Sequence, residues 1–218
     1  MYFRILHDEA SGSVSYLLGD LAAGEAVLVD PRGADVPLLK AMLGEHRLRL
    51  RWLLRTHEHD QQAPGEGAAL DSLGAPRVQH RSAPQAAPDG VLLFGQEHLS
   101  VLPTPGHTPG CLSYHWRDRL FCGGLLAVDA CPYQPRPALP EALWESVNRK
   151  VFTLPAETLL FAGHAFQARV VSTVLEQRRW HPWLGSVGRD EFLTRLRSLP
   201  PGRGPRPVAT QDPPRARG

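Results

Sequence analysis

Four histidines of the chain share one sequence setting, at the end of an apolar run and beside turn-forming residues. His57 and His59 occur in RTHEHD, His107 occurs in TPGHTPG and His164 occurs in FAGHAF. Strands that present imidazoles in turns are what a metal site built on loops requires, and neutral imidazole is a common ligand of Zn²⁺ and iron. The four histidines together therefore predict a metal site.

The segments around these histidines alternate between strand and helix patterns. Strand-rich stretches flanked by helices predict an α/β fold, an αββα sandwich with the histidines along one edge. Strands are predicted in SVSYLLGD, EAVLVDP, LRLRWLLRTH, GVLLFG, HLSVLPTPGH, CLSYHWRD, RLFCGGLL and TLLFAGH, and helices in DVPLLKAMLGEHR, QAPGEGAALDSLG, LPEALWESVNRKVFTL, FQARVVSTVLEQRRW and RDEFLTRLRSL.

The composition is that of an ordinary globular protein. The chain has 218 residues, of which 42% are hydrophobic and 21% are charged. This length suits one large domain, which we expect over residues 1–200. A Pro/Arg-rich C-terminal tail, 201–218, is expected to be extended or disordered.

Charge, hydropathy and cysteine content exclude several functional classes. A net charge of +2 without a run of Lys and Arg argues against nucleic acid as a partner. No apolar run approaches the roughly 20 residues of a membrane span, and the start MYFRILHDEASG lacks the order of a signal peptide, so a cytoplasmic location is expected. Cys111, Cys122 and Cys131 form no CxxC motif, which argues against a disulfide framework.

Several motifs in fixed order resemble the metallo-β-lactamase superfamily, and within it the persulfide dioxygenase branch near glyoxalase II. The resemblance covers about residues 3–200 and implies the αββα fold. The motifs are SGSVSYLLGD, EAVLVDP, THEHDQQAPG, PTPGHTPGCLSY, LFCGGLL, ESVNRKVFTLP, FAGHAF and STVLEQRRWHP.

The resemblance also implies a ligand set, from which this chain departs. The superfamily pattern has a T-H-x-H-x-D-H loop, a G-H-T histidine, an F-x-G-D aspartate and a final histidine. His57, His59, His107 and His164 match it, whereas Gln61 replaces the loop aspartate, Gln62 the third loop histidine and Gly124 the later aspartate. A neutral amide is a weak ligand and glycine has no side chain, so the second metal of dinuclear members is not expected.

By the same resemblance, His57, His59 and His107 would hold one divalent metal, Fe(II) or Zn(II), and His164 would line the vacant half of the site. The sequence therefore predicts that His107→Ala abolishes metal uptake and that His164→Ala barely changes it. Persulfide dioxygenases hold Fe(II) with two histidines and the aspartate that Gly124 replaces, so an iron site requires His59, Asp60 or Glu58 as a substitute. Three imidazoles alone suit hydrolytic zinc.

Three functions stay open at this stage, and with them the question whether the chain is an enzyme. The first is a sulfur dioxygenase acting on glutathione persulfide, the second a zinc hydrolase of thioesters, and the third a binding or interaction protein without activity and without metal. The expected partner is a small-molecule thiol, persulfide or thioester, and the family often forms homodimers. Cys131 lies where the family has its substrate loop. The Arg-Asp pair that orients this loop in the family is missing here, and Arg136 is only a loose substitute for it.

Overall fold

Two β-sheets form the centre of the molecule. The computed structural model describes residues 1–58, 65–87, 89–128, 131, 134, 136–164 and 170–199. The first sheet has five strands side by side, β1 Tyr2–His7, β2 Val14–Asp20, β3 Glu25–Val29, β4 Arg49–Leu54 and β5 Arg77–Val78. The second has six, β6 Val91–Phe94, β7 Glu97–Pro103, β8 Leu112–Trp116, β9 Arg119–Gly123, β10 Leu159–Ala162 and β11 Val171–Thr173.

Helices cover the outer faces of both sheets. Three of them have a proline in the first turn, where its fixed backbone angle suits a helix start and its missing N–H costs no hydrogen bond. The helices are α1 Val36–Glu45, α2 Glu66–Asp71, α3 Ala83–Ala86, α4 Pro140–Ser146, α5 Val174–Trp180 and α6 Arg189–Ser198. A π-helical turn, Val147–Val151, continues α4. Among the described residues, no helix has the length and apolar character that crossing a membrane requires.

The strands alternate between a central hydrophobic core, which lies between the sheets, and one of two outer hydrophobic clusters under the helices. In β2, Tyr16 and Leu18 belong to the core between the sheets, whereas Leu17 packs with residues of α1 and α2. In β9, Phe121 faces the same central core, and its neighbour Leu120 packs with residues of α4, α5 and α6. Because successive side chains of a strand point to opposite faces, strands that are apolar throughout need cover on both sides. This arrangement confirms the predicted αββα sandwich.

The carboxyl ends of several strands meet at one edge. In the second sheet β9 and β10 are parallel, and β7 has the same direction because it is separated from β9 by one antiparallel strand. Two backbone hydrogen bonds join the sheets there, from Leu112 N–H to the Thr56 carbonyl at 2.7 Å and from Val14 N–H to the Gly163 carbonyl at 3.0 Å. Loops that follow strands of both sheets therefore lie close together.

One predicted helix is wrong at its start. Within FQARVVSTVLEQRRW, Val171–Thr173 is the strand β11, paired antiparallel with β10, and the helix begins only at Val174. The β-branched residues of VVST favour a strand. The Thr173 hydroxyl then accepts a hydrogen bond from Glu176 N–H at 3.1 Å, which caps the helix. The predicted tail, 201–218, lies outside the described residues.

Candidate metal centre

His57 follows β4 and is preceded by a threonine that a carboxylate holds in place. Asp30 directly follows β3, the parallel neighbour of β4. Its carboxylate accepts the Thr56 N–H at 2.8 Å and the Thr56 hydroxyl at 2.5 Å. Burial raises the pKa of the Asp30 carboxyl, and the two hydrogen bonds from Thr56 oppose that rise. Asp30 thus fixes both the backbone and the side chain of Thr56.

The threonine in turn selects the tautomer of His57. The Thr56 Oγ1 atom lies 2.7 Å from His57 Nδ1. Because the single hydroxyl hydrogen of Thr56 is directed to Asp30, Nδ1 must be the donor in this second hydrogen bond. The imidazole then carries its hydrogen on Nδ1 and a lone pair on Nε2. Metal-binding histidines are commonly held in this way, with the second ring nitrogen donating to an outer partner.

His164 meets His57 through the same Nε2 atom. The two Nε2 atoms are 3.0 Å apart, and the ring planes are inclined by 73°. Since His57 Nε2 carries a lone pair, the hydrogen in this contact belongs to His164 Nε2. The backbone of His164 pairs with Ser13 in an isolated β-bridge, next to the bond from Val14 N–H to Gly163. The contact therefore joins the two sheets.

His107 reaches the cluster from the turn after β7. The side chain is 2% exposed, and its ring centroid lies 5.3 Å from that of His57. Gly106 has a φ of +151°, and a Cβ there would lie 2.6 Å from the Leu143 backbone nitrogen. The His107 carbonyl accepts the Ala138 N–H at 3.0 Å. Only glycine permits this close contact, which fixes the turn against the start of α4.

Three glycines form a wall behind the imidazoles. Gly123 has a φ of +55°, and a Cβ there would lie 3.0 Å from His57 Nδ1. A Cβ on Gly163 would lie 3.2 Å from His57 Cε1. A Cβ on Gly124 would lie 2.6 Å from His107 Nε2. The ring of His107 thus fills the space that a side chain at position 124 would need.

The structure places some of the predicted site residues together and leaves others undescribed. It brings His57, His107 and His164 into one cluster, with Gly124 against the ring of His107. Cys131 is buried, and its N–H donates to the Ala127 carbonyl at 3.2 Å. His59, Asp60, Gln61 and Gln62 lie outside the described residues. Within the described part of the chain, the three rings do not by themselves have the spacing of a complete ligand group, and neither does any other set of three His, Cys, Asp or Glu side chains.

Asp30 and Thr56 were not predicted from the sequence as site residues. A signal was present, because each is a polar residue just after an apolar strand, and the two strands are parallel neighbours.

The donor set in the described part of the site suits a divalent ion such as Fe(II) or Zn²⁺. Neutral imidazole nitrogens are the available ligand atoms, and position 124 offers no carboxylate.

A further histidine, His181, has a purely structural environment. Its Nε2 lies 2.9 Å from the Leu126 carbonyl, and its Nδ1 accepts the N–H groups of Trp183 at 3.1 Å and Leu184 at 3.2 Å. Burial lowers the pKa of His181 because the imidazolium form loses hydration. The neutral ring therefore joins the turn after α5 to the loop after β9.

Comparisons with known proteins show which family the chain is similar to. The chain is 33% identical to the mitochondrial persulfide dioxygenase ETHE1 of Homo sapiens over 205 residues, which is 90% of this chain and 80% of that protein. It is 34% identical to hydroxyacylglutathione hydrolase of Anaeromyxobacter dehalogenans, over 71% of this chain and 62% of the hydrolase. The crystal structure of ETHE1 from Myxococcus xanthus superimposes with a TM-score of 0.78 and 31% identity, covering 93% of each chain. No protein-family model matches the sequence.

Proposed function

The chain belongs to the persulfide dioxygenase branch of the metallo-β-lactamase superfamily, and we propose that it holds one divalent ion, Fe(II) or Zn(II), with imidazole ligands. His57 and His107 supply two of them, and His59 is the third ligand expected from the sequence. The observation that carries this proposal is the chain of hydrogen bonds from Asp30 through Thr56 to His57. It gives His57 the hydrogen on Nδ1 and the lone pair on Nε2 that a ligand needs.

Gly124 supports a single ion. In dinuclear members of the superfamily an aspartate at this position is shared by both metals, as the motif comparison implies. Here the ring of His107 lies where that side chain would begin, with its Nε2 2.6 Å from the place of a Cβ. A carboxylate cannot be added at this position unless His107 moves. The second ion would then lack its shared ligand.

The substrate that we propose is a small thiol derivative, with glutathione persulfide as the first candidate. This follows the persulfide dioxygenase ETHE1 of Homo sapiens and the ETHE1 structure from Myxococcus xanthus, to which the chain is similar over 90% and 93% of its length. The hydroxyacylglutathione hydrolases give a second candidate, a glutathione thioester. When bound, Fe(II) supplies O₂-dependent oxidation of a sulfur atom, whereas Zn²⁺ supplies an activated water for hydrolysis.

The protein's own groups orient the ligands and keep the site compact. Asp30 holds Thr56, and Thr56 holds the ring of His57 in one tautomer. His107 is almost completely buried, so water reaches it poorly. Gly123 lets the chain pass close behind His57, where any side chain would collide with the ring or with Thr56. The tautomer of His57 is thereby fixed before a metal ion binds.

Metal content and activity test this function together. The purified protein is analysed for iron and zinc, then loaded with each ion, and the iron form is tested for O₂ consumption with glutathione persulfide. The zinc form is tested for cleavage of a glutathione thioester. We expect one ion per chain and persulfide-dependent O₂ uptake by the iron form. His98→Ala, which changes an exposed histidine on β7, serves as the control and should behave like the parent protein.

The metal content and the two activities decide between the dioxygenase, the hydrolase and a binding protein. Thioester cleavage by the zinc form without any persulfide-dependent O₂ uptake would replace the dioxygenase by the hydrolase. Two ions per chain would contradict the single-ion site. A protein that takes up neither ion would refute both enzymatic functions and leave a binding protein on the same fold.

A further inference from the structure

The ring of His164 is in direct contact with the ring of His57 through their Nε2 atoms. We propose that His164 is a ligand of the same ion as His57, so that the chain has replaced the missing carboxylate with an imidazole from the second sheet. The inference rests on the proposed single-ion function. It differs from the expectation drawn from sequence, in which His164 was the remnant of a separate second site.

The distance between the two nitrogens fits a shared ion. Two nitrogen atoms that each lie about 2.1 Å from one ion are about 3.0 Å apart at a right angle and about 3.4 Å apart at the tetrahedral angle. The Nε2 atoms of His57 and His164 are 3.0 Å apart. The separation of the two nitrogens therefore suits one shared ion when each ring turns so that its Nε2 lone pair points about 35–45° away from the other nitrogen.

The positions of the ring hydrogens allow a metal ion to replace the hydrogen bond between His57 Nε2 and His164 Nε2. His57 already has its hydrogen on Nδ1, because Thr56 accepts it there. His164 needs only the other neutral tautomer, in which the ring hydrogen leaves Nε2 for Nδ1. The ring stays neutral and keeps the same number of hydrogens. The ion then replaces one hydrogen between two nitrogens that are already in contact.

The backbone around His164 is built for this approach. Gly163 N–H donates to the Gly123 carbonyl at 2.9 Å, and the Gly163 carbonyl accepts the Val14 N–H at 3.0 Å. A Cβ on Gly163 would lie only 3.1 Å from Gly123 Cα and 3.2 Å from His57 Cε1. A larger residue at 163 would push β10 away from His57. The glycine thus allows His164, just after β10, to share an ion with His57 in the loop after β4.

Histidine-detected NMR with Zn²⁺ alone tests the inference directly. Long-range ¹H–¹⁵N spectra of the whole protein distinguish ring nitrogens that carry hydrogen, carry a lone pair or bind metal. In the metal-free protein we expect hydrogen on His57 Nδ1 and on His164 Nε2. On addition of one equivalent of Zn²⁺, the Nε2 signals of both histidines should become metal-bound, and the hydrogen of His164 should appear on Nδ1.

The outcomes separate this inference from the proposed function. If His57 and His107 bind Zn²⁺ while His164 Nε2 keeps its hydrogen, the shared-ion inference is wrong and the single-ion function stands. If no histidine signal responds to Zn²⁺, the proposed function itself fails. Because the measurement uses the unaltered protein, it does not depend on whether a variant folds.

A competition titration of Zn²⁺ against a chromophoric chelator gives a second readout. We expect His164→Ala to weaken Zn²⁺ binding by more than the roughly 10- to 100-fold that loss of an outer hydrogen-bond partner typically costs. His98→Ala, the exposed control, should leave the dissociation constant unchanged. Equal affinities of the His164→Ala variant and the control would overturn the inference.

Discussion

Replacing Thr56 by valine removes the hydroxyl that connects Asp30 to His57 but keeps the shape of the side chain. The backbone N–H of residue 56 still donates to Asp30, whereas the 2.5 Å hydrogen bond to the carboxylate and the 2.7 Å contact with His57 Nδ1 are both lost. The Asp30 oxygen then lies in a buried place without the donor that stabilised it. His57 no longer has an acceptor there that selects its tautomer.

The magnitude follows from these two lost contacts. A hydrogen bond to a charged group contributes about 1.5–3 kcal/mol, so we expect Thr56→Val to lower the free energy of unfolding by about that amount. Loss of an outer partner of a ligand histidine typically weakens metal binding roughly 10- to 100-fold, and we expect the same range for Zn²⁺ here. Thr56→Ser keeps the hydroxyl and is the matched control.

Urea denaturation of the metal-free variants gives the stability change, and the chelator competition gives the affinity. The Thr56→Val protein should also show a mixture of His57 tautomers in the ¹H–¹⁵N spectrum. If Thr56→Val binds Zn²⁺ as tightly as Thr56→Ser, and His57 keeps its hydrogen on Nδ1, then the Asp30–Thr56 pair does not select the tautomer.

Three further variants test the packing of the site and its surroundings. Gly124→Ala places a Cβ 2.6 Å from His107 Nε2 and should lower the free energy of unfolding by roughly 1–3 kcal/mol in urea; an unchanged midpoint would contradict the space-filling role of the ring. Gly106→Ala should cost about 3 kcal/mol in the same assay, because its Cβ meets the backbone of Leu143. The pKa of His181 is lowered by burial, so its contribution to stability is present above pH 6.5 and is lost as the pH falls below that value. His181→Asn keeps an acceptor that does not titrate and should lack this part of the pH dependence, which denaturation at several pH values would show.

The sequence could predict which residues reach the site but not how their rings meet. Each histidine of the cluster follows an apolar run, and that local pattern is enough to place it at a strand end. The contact between His57 and His164 joins residues 107 positions apart. It depends on ring orientation and on the missing side chain of Gly163, and no local pattern encodes either.

The same distinction explains the errors in the elements. The start of the helix after His164 was predicted from apolar periodicity, yet Val171 pairs with Phe161 in the sheet. A short strand and the first turn of a helix have similar apolar patterns, and the β-branched residues decided the outcome. The edge strand β1 was not predicted, although Tyr2 and Leu6 on one face and Phe3 on the other pack against hydrophobic clusters.

The hydrogen bonds that join the two sheets at the site edge also have a consequence for the order of folding. Leu112 meets Thr56, and Val14 meets Gly163, only after both sheets have formed and docked. Contacts between residues so distant in sequence form slowly, because a long chain segment must first be ordered. An ion shared by His57 and His164 would therefore be captured at the last step of folding. The rate of metal uptake during refolding would then measure the docking of the two halves of the sandwich.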